Sequence, residues 1–535
     1  MSSSPGFTSN RVQHMALFDE NGTTVEGITY LLKVLFSTAD ATPLTNPYVG
    51  ETGSLAVAQV DGTLAAASGA LTNTAQASPV EGDLGVWDSV TRTRTAGRTF
   101  YVKITPGTLN TYPLLFWGVN LNASSVGMEA ALGIQNPLIV NDGGSLSIGK
   151  TLANSTQYEV WLILLATGAY AVIKGGVFTN AELVWKFRTG STAAMVAAIG
   201  YWNGVASVQD LAVVDLPAAI LSAIAIASVS SFAQSISAEM LANPSFVTWA
   251  ADNPSSWTVQ GESGSDPMVT QVASGGGAGT GAARLYSSAT GFSPVLRQNG
   301  LMVVGGIYEV RCTISAAVAG SFNVGTGDGV QVTAYSTTGA KCKLIRALAS
   351  GAGLDVAVYG IGTTPNDMTF DDVSLKRITL NTAQAMPADA EFYYTFVLPV
   401  SPATGDEIHL LYRIEAAGDE LLDCWDAYLR RNAANDAWDF RVDSIVAGTR
   451  TNRVNTTGVG DVTTIAARCK GSDHDYWTLV STTWTKRGAT ISVATYSTAV
   501  LCNTIAGTGF TETSLEILRV DLSSYESSLY TATSP

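Results

Sequence analysis

The chain has 535 residues, of which 46% are hydrophobic and only 14% are charged, and its formal net charge is -15. Intrinsic disorder is excluded, because disordered chains combine many charges with few apolar residues. The acidic balance and the lack of any cluster of Lys and Arg argue against a nucleic-acid partner, which would need a basic face. At roughly 100–200 residues per domain, the length predicts three or four domains. The 52 glycines are typical of β-sandwiches with many tight turns.

Residues 1–45 differ from the rest and predict a short N-terminal arm. The arm contains Asn21-Gly22, a strong turn signal for a hairpin, and an apolar run over residues 28–36. Its first five residues lack the basic and apolar stretches of a leader, so we expect no secretory signal. We interpret the arm as an attachment segment. The alternative is an edge strand of the next sandwich.

Residues 46–216 predict a first β-sandwich. Short apolar and aromatic runs recur, and Gly, Asn and Pro separate them at turn spacing. The clearest runs are residues 99–104, 114–119, 158–165, 170–174 and 211–216. In the segment 192–199, the spacing of apolar residues predicts a single short helix.

Residues 217–238 predict an apolar linker. The segment carries no charge, begins with Pro217 and becomes rich in serine after residue 227. Its apolar part, residues 218–227, is too short for a membrane-spanning helix, which needs about 20 apolar residues. We therefore expect no membrane insertion. A packed linker, or a helix buried at a contact between subunits, fits the pattern better.

The segment 239–378 carries a recognisable order of motifs. It opens with Leu241-Ala242-Asn243-Pro244-Ser245-Phe246, continues with a strand around Trp257, and closes with Asp371-Asp372-Val373-Ser374-Leu375. This order resembles the jelly-roll carbohydrate-binding modules attached to glycan-degrading enzymes and phage fibres. That family often has Glu after the opening Phe, where it helps to hold a structural calcium ion. Val247 occupies this position here, so we do not extend the resemblance to a calcium site.

Residues 379–535 predict a third β-sandwich, with strands over residues 392–398, 408–414 and 476–480. Residues 516–522 repeat residues 210–216, the end of the first sandwich, in apolar pattern and in a closing Val-Asp-Leu. The first and third sandwiches, residues 46–216 and 379–535, both resemble concanavalin-A-like and laminin-G-like lectin domains. The predicted fold class is therefore all-β, with tandem β-sandwich and jelly-roll domains after a short N-terminal arm.

The cysteines predict neither a zinc site nor a redox pair, because the five are widely spaced and form no C-x-x-C motif. Cys312 and Cys342 lie in one predicted domain and could form a disulfide. Buried free thiols are the favoured interpretation.

No segment carries the residues that a glycosidase needs. Retaining glycosidases use two carboxyl groups about 5 Å apart, and the Glu-x-Asp-x-x-Glu pattern of concanavalin-A-like glucanases does not occur. Asp371 and Asp372 are adjacent and would point to opposite faces of a strand. Asp473-His474-Asp475 is the most metal-like cluster, but we interpret it as a solvated loop before the strand at Tyr476. The sequence predicts no catalytic residue, no metal site and no cofactor.

Binding is the remaining class of function. Aromatic rings stack on the C–H faces of sugars, while amide and carboxylate side chains bind hydroxyl groups. The candidate ligand-binding residues of the middle domain are Trp249, Trp257, Tyr286, Tyr335 and Tyr359. For each ring the alternative is a place in the core, since large rings dominate sandwich interiors.

The combined pattern resembles the lectin-like parts of bacteriophage particles. The resemblance implies a non-enzymatic virion protein, such as a tail fibre, a baseplate part or a head decoration. Its partners would be other virion proteins, bound through the N-terminal arm, and a host surface glycan. We expect a homo-oligomer, with a trimer favoured, whose subunits meet near residues 218–227. The alternative is an extracellular bacterial carbohydrate-binding accessory protein.

Overall fold

The structure of the chain is a computed structural model. The residues that it describes are 17–18, 24–25, 30–34, 36, 43–44, 46–50, 52–59, 63–67, 69–74, 84–107, 113–118, 128–142, 145–188, 194–201, 205–263, 266–272, 281–288, 294–328, 332–348, 355–360, 365–432, 437–493, 499–526 and 529. Within these ranges the regular structure is almost entirely β-strand, so the all-β prediction is confirmed.

The chain forms two compact units. Unit 1 contains Met1–Ile226 together with Arg519–Pro535, and unit 2 contains Ala227–Leu518. Unit 2 is thus an insertion in the chain of unit 1, and both chain ends belong to unit 1.

The elements of unit 1 are β1 (Leu17–Phe18), β2 (Thr24–Val25), β3 (Tyr30–Val34), β4 (Tyr48–Val49), β5 (Ser54–Gln59), β6 (Leu64–Ala67), β7 (Ala70–Asn73), β8 (Leu84–Asp88), β9 (Arg98–Pro106), β10 (Pro113–Gly118), β11 (Met128–Gly133), β12 (Ile139–Asn141), β13 (Ser145–Ser147), β14 (Tyr158–Leu164), β15 (Ala169–Gly175), β16 (Phe178–Phe187), β17 (Val196–Tyr201), β18 (Ala206–Asp215) and α1 (Ala218–Ile224).

Two antiparallel sheets build the sandwich of unit 1. Their strand orders are β13-β12-β11-β10-β17-β8-β5-β4 and β16-β15-β14-β9-β18-β7-β6, with β3 also paired to β18. The indole N–H of Trp117, on the first sheet, donates to the carbonyl of Leu162 on the second sheet at 2.9 Å. This bond satisfies the one polar atom of a fully buried ring and ties the two sheets together.

The N-terminal arm contributes a strand to this sandwich. Strands β1 and β2 pair antiparallel, as the Asn21-Gly22 signal predicts, although the turn residues themselves lie outside the described residues. Strand β3 pairs with β18, where Leu32 and Val34 are fully buried. The end of the predicted arm is therefore a strand of the first sandwich, and an attachment role for the arm stays a prediction.

The short helix predicted over residues 192–199 is wrong. Met195 forms an isolated bridge with Arg92, and residues 196–199 belong to β17, between β10 and β8. Every residue of β17 is buried. A strand covered on both faces is a continuous apolar run, and the spacing of such a run does not distinguish strand from helix.

The C-terminal segment completes unit 1 at β16, the last strand of its sheet. The Leu522 N–H donates to the Ala181 carbonyl at 2.8 Å, and the Leu183 N–H donates to the Val520 carbonyl at 3.0 Å. Glu526 then accepts hydrogen bonds at 2.6 Å from the Ala181 N–H and from the Lys174 ammonium group. The segment covers an edge that would otherwise expose unpaired backbone groups.

The elements of unit 2 are β19 (Ala225–Val229), β20 (Ser235–Ile236), β21 (Trp249–Ala250), β22 (Asn253–Pro254), β23 (Thr258–Gln260), β24 (Met268–Val272), β25 (Ala282–Ser287), β26 (Val295–Gln298), β27 (Ile307–Ala319), β28 (Phe322–Thr326), β29 (Val332–Tyr335), β30 (Gly339–Arg346), β31 (Val356–Gly360), β32 (Asn366–Thr379), β33 (Gln384–Ala385), β34 (Ala390–Val397), β35 (Glu407–Ile414), β36 (Cys424–Arg431), β37 (Trp438–Val446), β38 (Thr449–Thr456), β39 (Val462–Lys470), β40 (Asp473–Val480), β41 (Thr483–Lys486), β42 (Ile491–Ser492), β43 (Leu501–Ala506) and β44 (Thr511–Arg519). The boundaries between the units fall in β19 and β44.

Four main sheets are stacked in unit 2. The outer jelly-roll sheet is β23-β26-β31-β28-β29, and the inner jelly-roll sheet is β24-β25-β32-β27-β30. The inner sandwich sheet is β33-β43-β35-β36-β37-β38, and the outer sandwich sheet is β19-β44-β34-β39-β40-β41. One apolar core joins the two jelly-roll sheets, and a second joins the inner jelly-roll sheet to the inner sandwich sheet. The predicted jelly roll and third sandwich therefore lie in one compact unit.

The predicted linker is ordered rather than extended. Its apolar part forms helix α1, with Ile220, Ala223 and Ile224 buried, and then β19. In the described part of the chain, no helix has the length and apolar character needed to cross a membrane. A role for this segment in contacts between subunits stays a prediction.

We expect the Glu526→Ala substitution to lower the free energy of unfolding of unit 1 by about 1–2 kcal/mol, because a backbone N–H and an ammonium group both lose their partner. Glu526→Gln keeps an acceptor for the Ala181 N–H and should cost less. Denaturant unfolding of the full chain measures both. If both substitutions leave the free energy of unfolding nearly unchanged, the C-terminal segment does not stabilise β16.

Candidate functional site

Two of the five predicted ligand-binding rings lie in the jelly-roll core. Trp257 is 7% exposed and Tyr335 is 4% exposed. The Trp257 indole donates to the Asn243 carbonyl at 3.1 Å, and the Tyr335 hydroxyl donates to the Cys342 carbonyl. These rings have no face to offer a sugar, so the structure assigns them to packing, which was the alternative for every ring.

The other three rings are half-buried and lie on different surfaces. Trp249 packs against the edge of the core, and its indole donates to the Phe246 carbonyl. Tyr286 is on the outer face of β25, with the Arg284 guanidinium 5.2 Å from the ring centre. Tyr359 is on β31, in the other jelly-roll sheet. The predicted residues thus do not form one site.

Tyr359 lies on β31, the central strand of the outer jelly-roll sheet. The preceding residue, Val358, belongs to the core, so alternation turns the Tyr359 ring outward. Its cross-strand partners are Val295 on β26 and Asn323 on β28, and both are half-buried. The next residues along this row are Gln260 on β23 and Ala334 on β29.

We call these five residues, together with Arg297, the Tyr359 face. Arg297 lies in the neighbouring row, where its guanidinium donates to the Gly327 carbonyl at 2.7 Å and lies 3.7 Å from the Asp355 carboxylate. The Tyr359 face therefore presents one aromatic ring, two amide side chains and one restrained guanidinium on a nearly continuous β-surface. This is the combination that stacks on a sugar ring and binds its hydroxyl groups.

A buried cluster of charges lies between the inner jelly-roll sheet and the inner sandwich sheet, and the sequence did not predict it. Arg311 on β27 donates to Glu309 at 2.7 Å and also to Asp406. Glu309 in turn accepts hydrogen bonds at 2.6 and 2.7 Å from the hydroxyl and N–H groups of Thr508. Burial alone would raise the pKa of Glu309, but the Arg311 guanidinium and Thr508 hold it below its usual value.

Glu309, Cys342 and Asp406 are close enough to be considered as metal ligands. Two observations argue against a metal ion. Arg311 already donates hydrogen bonds to both carboxylates, and burial raises the pKa of the Cys342 thiol far above its usual value. A cysteine binds metal as a thiolate, so this group is better described as an ion cluster. All five cysteines are buried free thiols, and Cys312 and Cys342 form no disulfide.

His409 is the centre of a second part of this cluster. Its Nδ1 lies 2.9 Å from Asp426, and its Nε2 lies 3.5 Å from Glu407. The ring stacks on Tyr428, and Arg450 contacts Asp426 at 2.8 Å. Burial alone would lower the pKa of His409, but Asp426 and Glu407 outweigh it and raise the pKa to about 9. A charged imidazolium is therefore sealed between the sheets.

Asp473, His474 and Asp475 do not form a solvated loop, so that interpretation is wrong. They begin strand β40, and His474 is fully buried. Its ring stacks on Trp425 with ring centres 3.9 Å apart, and its Nδ1 lies 3.0 Å from the Tyr412 hydroxyl. Burial and the nearby Arg413 guanidinium lower the pKa of His474 to about 3. The imidazole is neutral and belongs to the packing between sheets.

The residues around Asp371 do not fit the calcium ion that the jelly-roll resemblance would imply. Val247, in the position where the family often has Glu, is 52% exposed. Among the described residues, no group of three His, Cys, Asp or Glu side chains surrounds Asp371. One carboxylate oxygen accepts the Asp372 N–H, and the other is buried and has no hydrogen-bond partner among the residues that the structure describes. Burial raises the pKa of Asp371 to about 6.

Comparisons with known proteins assign no family. No protein-family model matches the chain, and a search of curated proteins gives no match. Among solved structures, a chain described with endo-acting O-glycanases of the human gut microbiota is 9% identical over 35% of this chain and 100% of that chain, with a TM-score of 0.27.

Two further structures show a similarly distant likeness. An uncharacterized protein from Mycobacterium paratuberculosis is 11% identical over 34% of this chain and 100% of its own, with a TM-score of 0.23. A GH43 protein from Bacillus licheniformis is 8% identical over 92% of this chain and 100% of its own, with a TM-score of 0.19. These values are too low to support a function for the chain.

We expect the stability of unit 2 to fall as the pH rises through about 9. An unfolded histidine titrates near pH 6.5, whereas His409 in the folded chain titrates near 9. Folding therefore gains from the charged imidazolium below about pH 6.5 and loses this gain at higher pH. Denaturant unfolding at pH 6.5, 8 and 9.5 measures the change. In His409→Gln the fall over this pH range should be smaller, and an unchanged fall would contradict the assignment.

At pH 7 we expect Asp371→Asn to raise the free energy of unfolding, by on the order of 1–2 kcal/mol. The folded pKa of about 6 lies above the unfolded value, so ionisation of this carboxyl costs stability above about pH 4. Near pH 3.5 the Asp371 carboxyl is protonated, so the unaltered chain and the variant are both neutral at this position. Their difference in the free energy of unfolding should then vanish. Measurements in EDTA exclude a contribution from metal.

Asp367→Asn is the matched control, because Asp367 pairs with Arg284 at 2.6 Å on the surface of the same sheet. This substitution should be neutral or slightly destabilising at pH 7. A loss of stability in Asp371→Asn similar to that of the control would overturn the description of Asp371 as an unsatisfied buried carboxyl.

Proposed function

We propose that the chain is a non-enzymatic carbohydrate-binding protein and that the Tyr359 face binds the glycan. The observation that carries the proposal is the register of the outer jelly-roll sheet, in which the outward-facing, half-buried Tyr359 lies between Val295 and Asn323 on the central strand. Gln260 extends the same row by one strand.

The chemistry of this face suits a neutral, extended glycan. The Tyr359 ring can stack on the C–H face of a sugar, and Val295 adds apolar surface beside it. The amides of Asn323 and Gln260 can both donate and accept hydrogen bonds, as sugar hydroxyl groups require. Because the face is open at both ends of the row, a chain of sugars could cross it.

The four carboxylates of the buried cluster are not placed for catalysis on a glycan. Glu309 and Asp406 share Arg311, and Glu407 and Asp426 flank His409. All four are nearly inaccessible to solvent. A glycosidase needs one carboxyl group that protonates the leaving oxygen and a second that ionises beside the substrate. Carboxylates held by buried cations cannot reach a glycan.

We further propose a virion setting, as a tail fibre, baseplate part or head decoration. The support is the resemblance of the sequence, together with one feature of the fold: β3, at the end of the N-terminal arm, belongs to unit 1, while the Tyr359 face belongs to unit 2. Attachment to a particle through the arm would thus involve a different unit from the one that binds the glycan. A secreted bacterial accessory protein is the alternative and would use the same face.

We expect Tyr359→Ala to weaken binding to the best glycan on an array by about tenfold, because the lost stacking corresponds to roughly 1–1.5 kcal/mol. Tyr286→Ala, on the other jelly-roll sheet, is the matched control and should bind as the unaltered chain does. Isothermal titration calorimetry measures both, and thermal unfolding checks that the variants are folded. No glycan binding by the full chain, or equal binding by Tyr359→Ala, would refute the proposal.

A further inference from the structure

A cleft of about 350 Å³ lies in the sandwich that follows the jelly roll in unit 2, and we call it the Trp425 cleft. It is formed where β35 ends, β36 begins and β37 ends. Its lining combines charged groups, one indole and several apolar side chains: Arg413, Glu415, Asp423, Cys424, Trp425, Ser444, Ile445, Val446, Arg453 and Val493. Unlike the Tyr359 face, it is a concave site.

Trp425 forms a fixed wall of this cleft. His474 stacks against the indole at 3.9 Å, and Tyr412 lies parallel to it at 6.4 Å, so the ring cannot rotate freely. Its N–H makes no hydrogen bond to any residue that the structure describes. Trp425 is 5% exposed and contributes to the lining of the cleft.

Arg453 provides a second, oriented donor. Its Nε donates to the Ser444 hydroxyl at 3.0 Å, and Ser444 is the cross-strand partner of Trp425. The terminal guanidinium nitrogens make no hydrogen bond within the described residues, and the side chain is exposed. One bond at Nε fixes the plane of the guanidinium and leaves its other donors for a planar anion.

The lining also includes two acidic groups. Asp423 accepts the Ala447 N–H at 2.8 Å, which holds the turn after β37. Glu415 is exposed at the rim of the cleft. Ile445 and Val446 supply the apolar part of the wall.

We propose that this cleft binds a single sugar residue that carries a carboxylate, at the end of a glycan. The carboxylate is held by the Arg453 guanidinium and the Trp425 N–H. The volume is near the lower end of ligand pockets, roughly 300–1,000 Å³, which fits one sugar ring. The choice of a sugar rather than another carboxylate rests on the proposed function; the choice of an anion rests on the two unpaired donors.

The test is calorimetric titration of the full chain with N-acetylneuraminic acid, with glucuronic acid and with glucose. At least one acidic sugar should bind in 1:1 stoichiometry, and glucose should bind at least tenfold more weakly. Binding should weaken as salt increases, because one charged contact dominates. No binding of either acid, or equal binding of glucose, would overturn the proposal.

Three variants separate this cleft from the Tyr359 face. Arg453→Gln removes the charge at an exposed position and should weaken binding of the acidic sugar at least tenfold. Arg377→Gln, also exposed, is the matched control and should leave binding unchanged. Trp425→Phe keeps a ring against His474 but removes the N–H, and should weaken binding severalfold.

Tyr359→Ala makes the two failures distinguishable. If this variant binds the acidic sugar normally but no longer binds the array glycan, both proposed sites are supported. If it keeps both kinds of binding, the proposed role of the Tyr359 face is refuted and that of the cleft is not. Equal binding of the acidic sugar by Arg453→Gln and the unaltered chain would refute the cleft alone.

Discussion

The guanidinium of Arg311 is the contact on which the architecture of unit 2 depends. It lies between the carboxylates of Glu309, on the inner jelly-roll sheet, and Asp406, beside the inner sandwich sheet. Buried carboxylates are tolerated only when a cation and further hydrogen bonds compensate for the lost water. Next to this pair, Ile307 and Leu344 of one sheet pack with Leu411 and Ile445 of the other. The apolar contacts favour stacking of the two inner sheets. The ion pairs permit only the register in which Glu309 and Asp406 both contact Arg311.

This arrangement explains why a jelly roll and a lectin-like sandwich form one unit. If a flexible linker joined the jelly roll to the sandwich, the facing surfaces of the two inner sheets would be in water. Their charged residues would then need no partners in the protein. Here Arg311, on the inner jelly-roll sheet, and Asp406, beside the inner sandwich sheet, meet only when the two inner sheets are stacked. Separation of the sandwiches would therefore have to rehydrate several charges and apolar side chains together. The Tyr359 face and the Trp425 cleft consequently belong to one cooperative body rather than to two tethered modules.

Much of the fold follows from local patterns in the sequence. Strands β9, β10, β14 and β35 are each marked by an apolar run between turn residues, and all were predicted close to their observed ends. The failure at β17 has a definite cause, because a strand buried on both faces lacks alternation. The two-unit organisation could not be predicted, since the bridge between Glu182 and Asp521 joins residues that no local pattern connects.

The candidate sites were less accessible from the sequence. Val358 and Tyr359 are adjacent, and only the packing of β31 decides which of them faces the core. Trp257 and Tyr359 are equally plausible ligands by residue type, yet one is a core ring and the other is half-exposed. The charged cluster was not predicted because Glu407 and His409 alternate with apolar residues before Leu411, which is the pattern of a strand with one face in water. The contact of Asp426 with His409 joins neighbouring strands, so it would have been a usable signal only with the strand pairing known.

The insertion of unit 2 has a consequence for biosynthesis. During translation, the first sandwich emerges with the edge of β16 uncovered, because the segment that pairs with Ala181 and Leu183 is near the end of the chain. All of unit 2 must leave the ribosome before that edge is closed. At roughly 5–20 residues per second, the delay is tens of seconds. Over this interval an open strand edge can pair with other nascent chains, so the order of synthesis places the aggregation risk of this protein in unit 1.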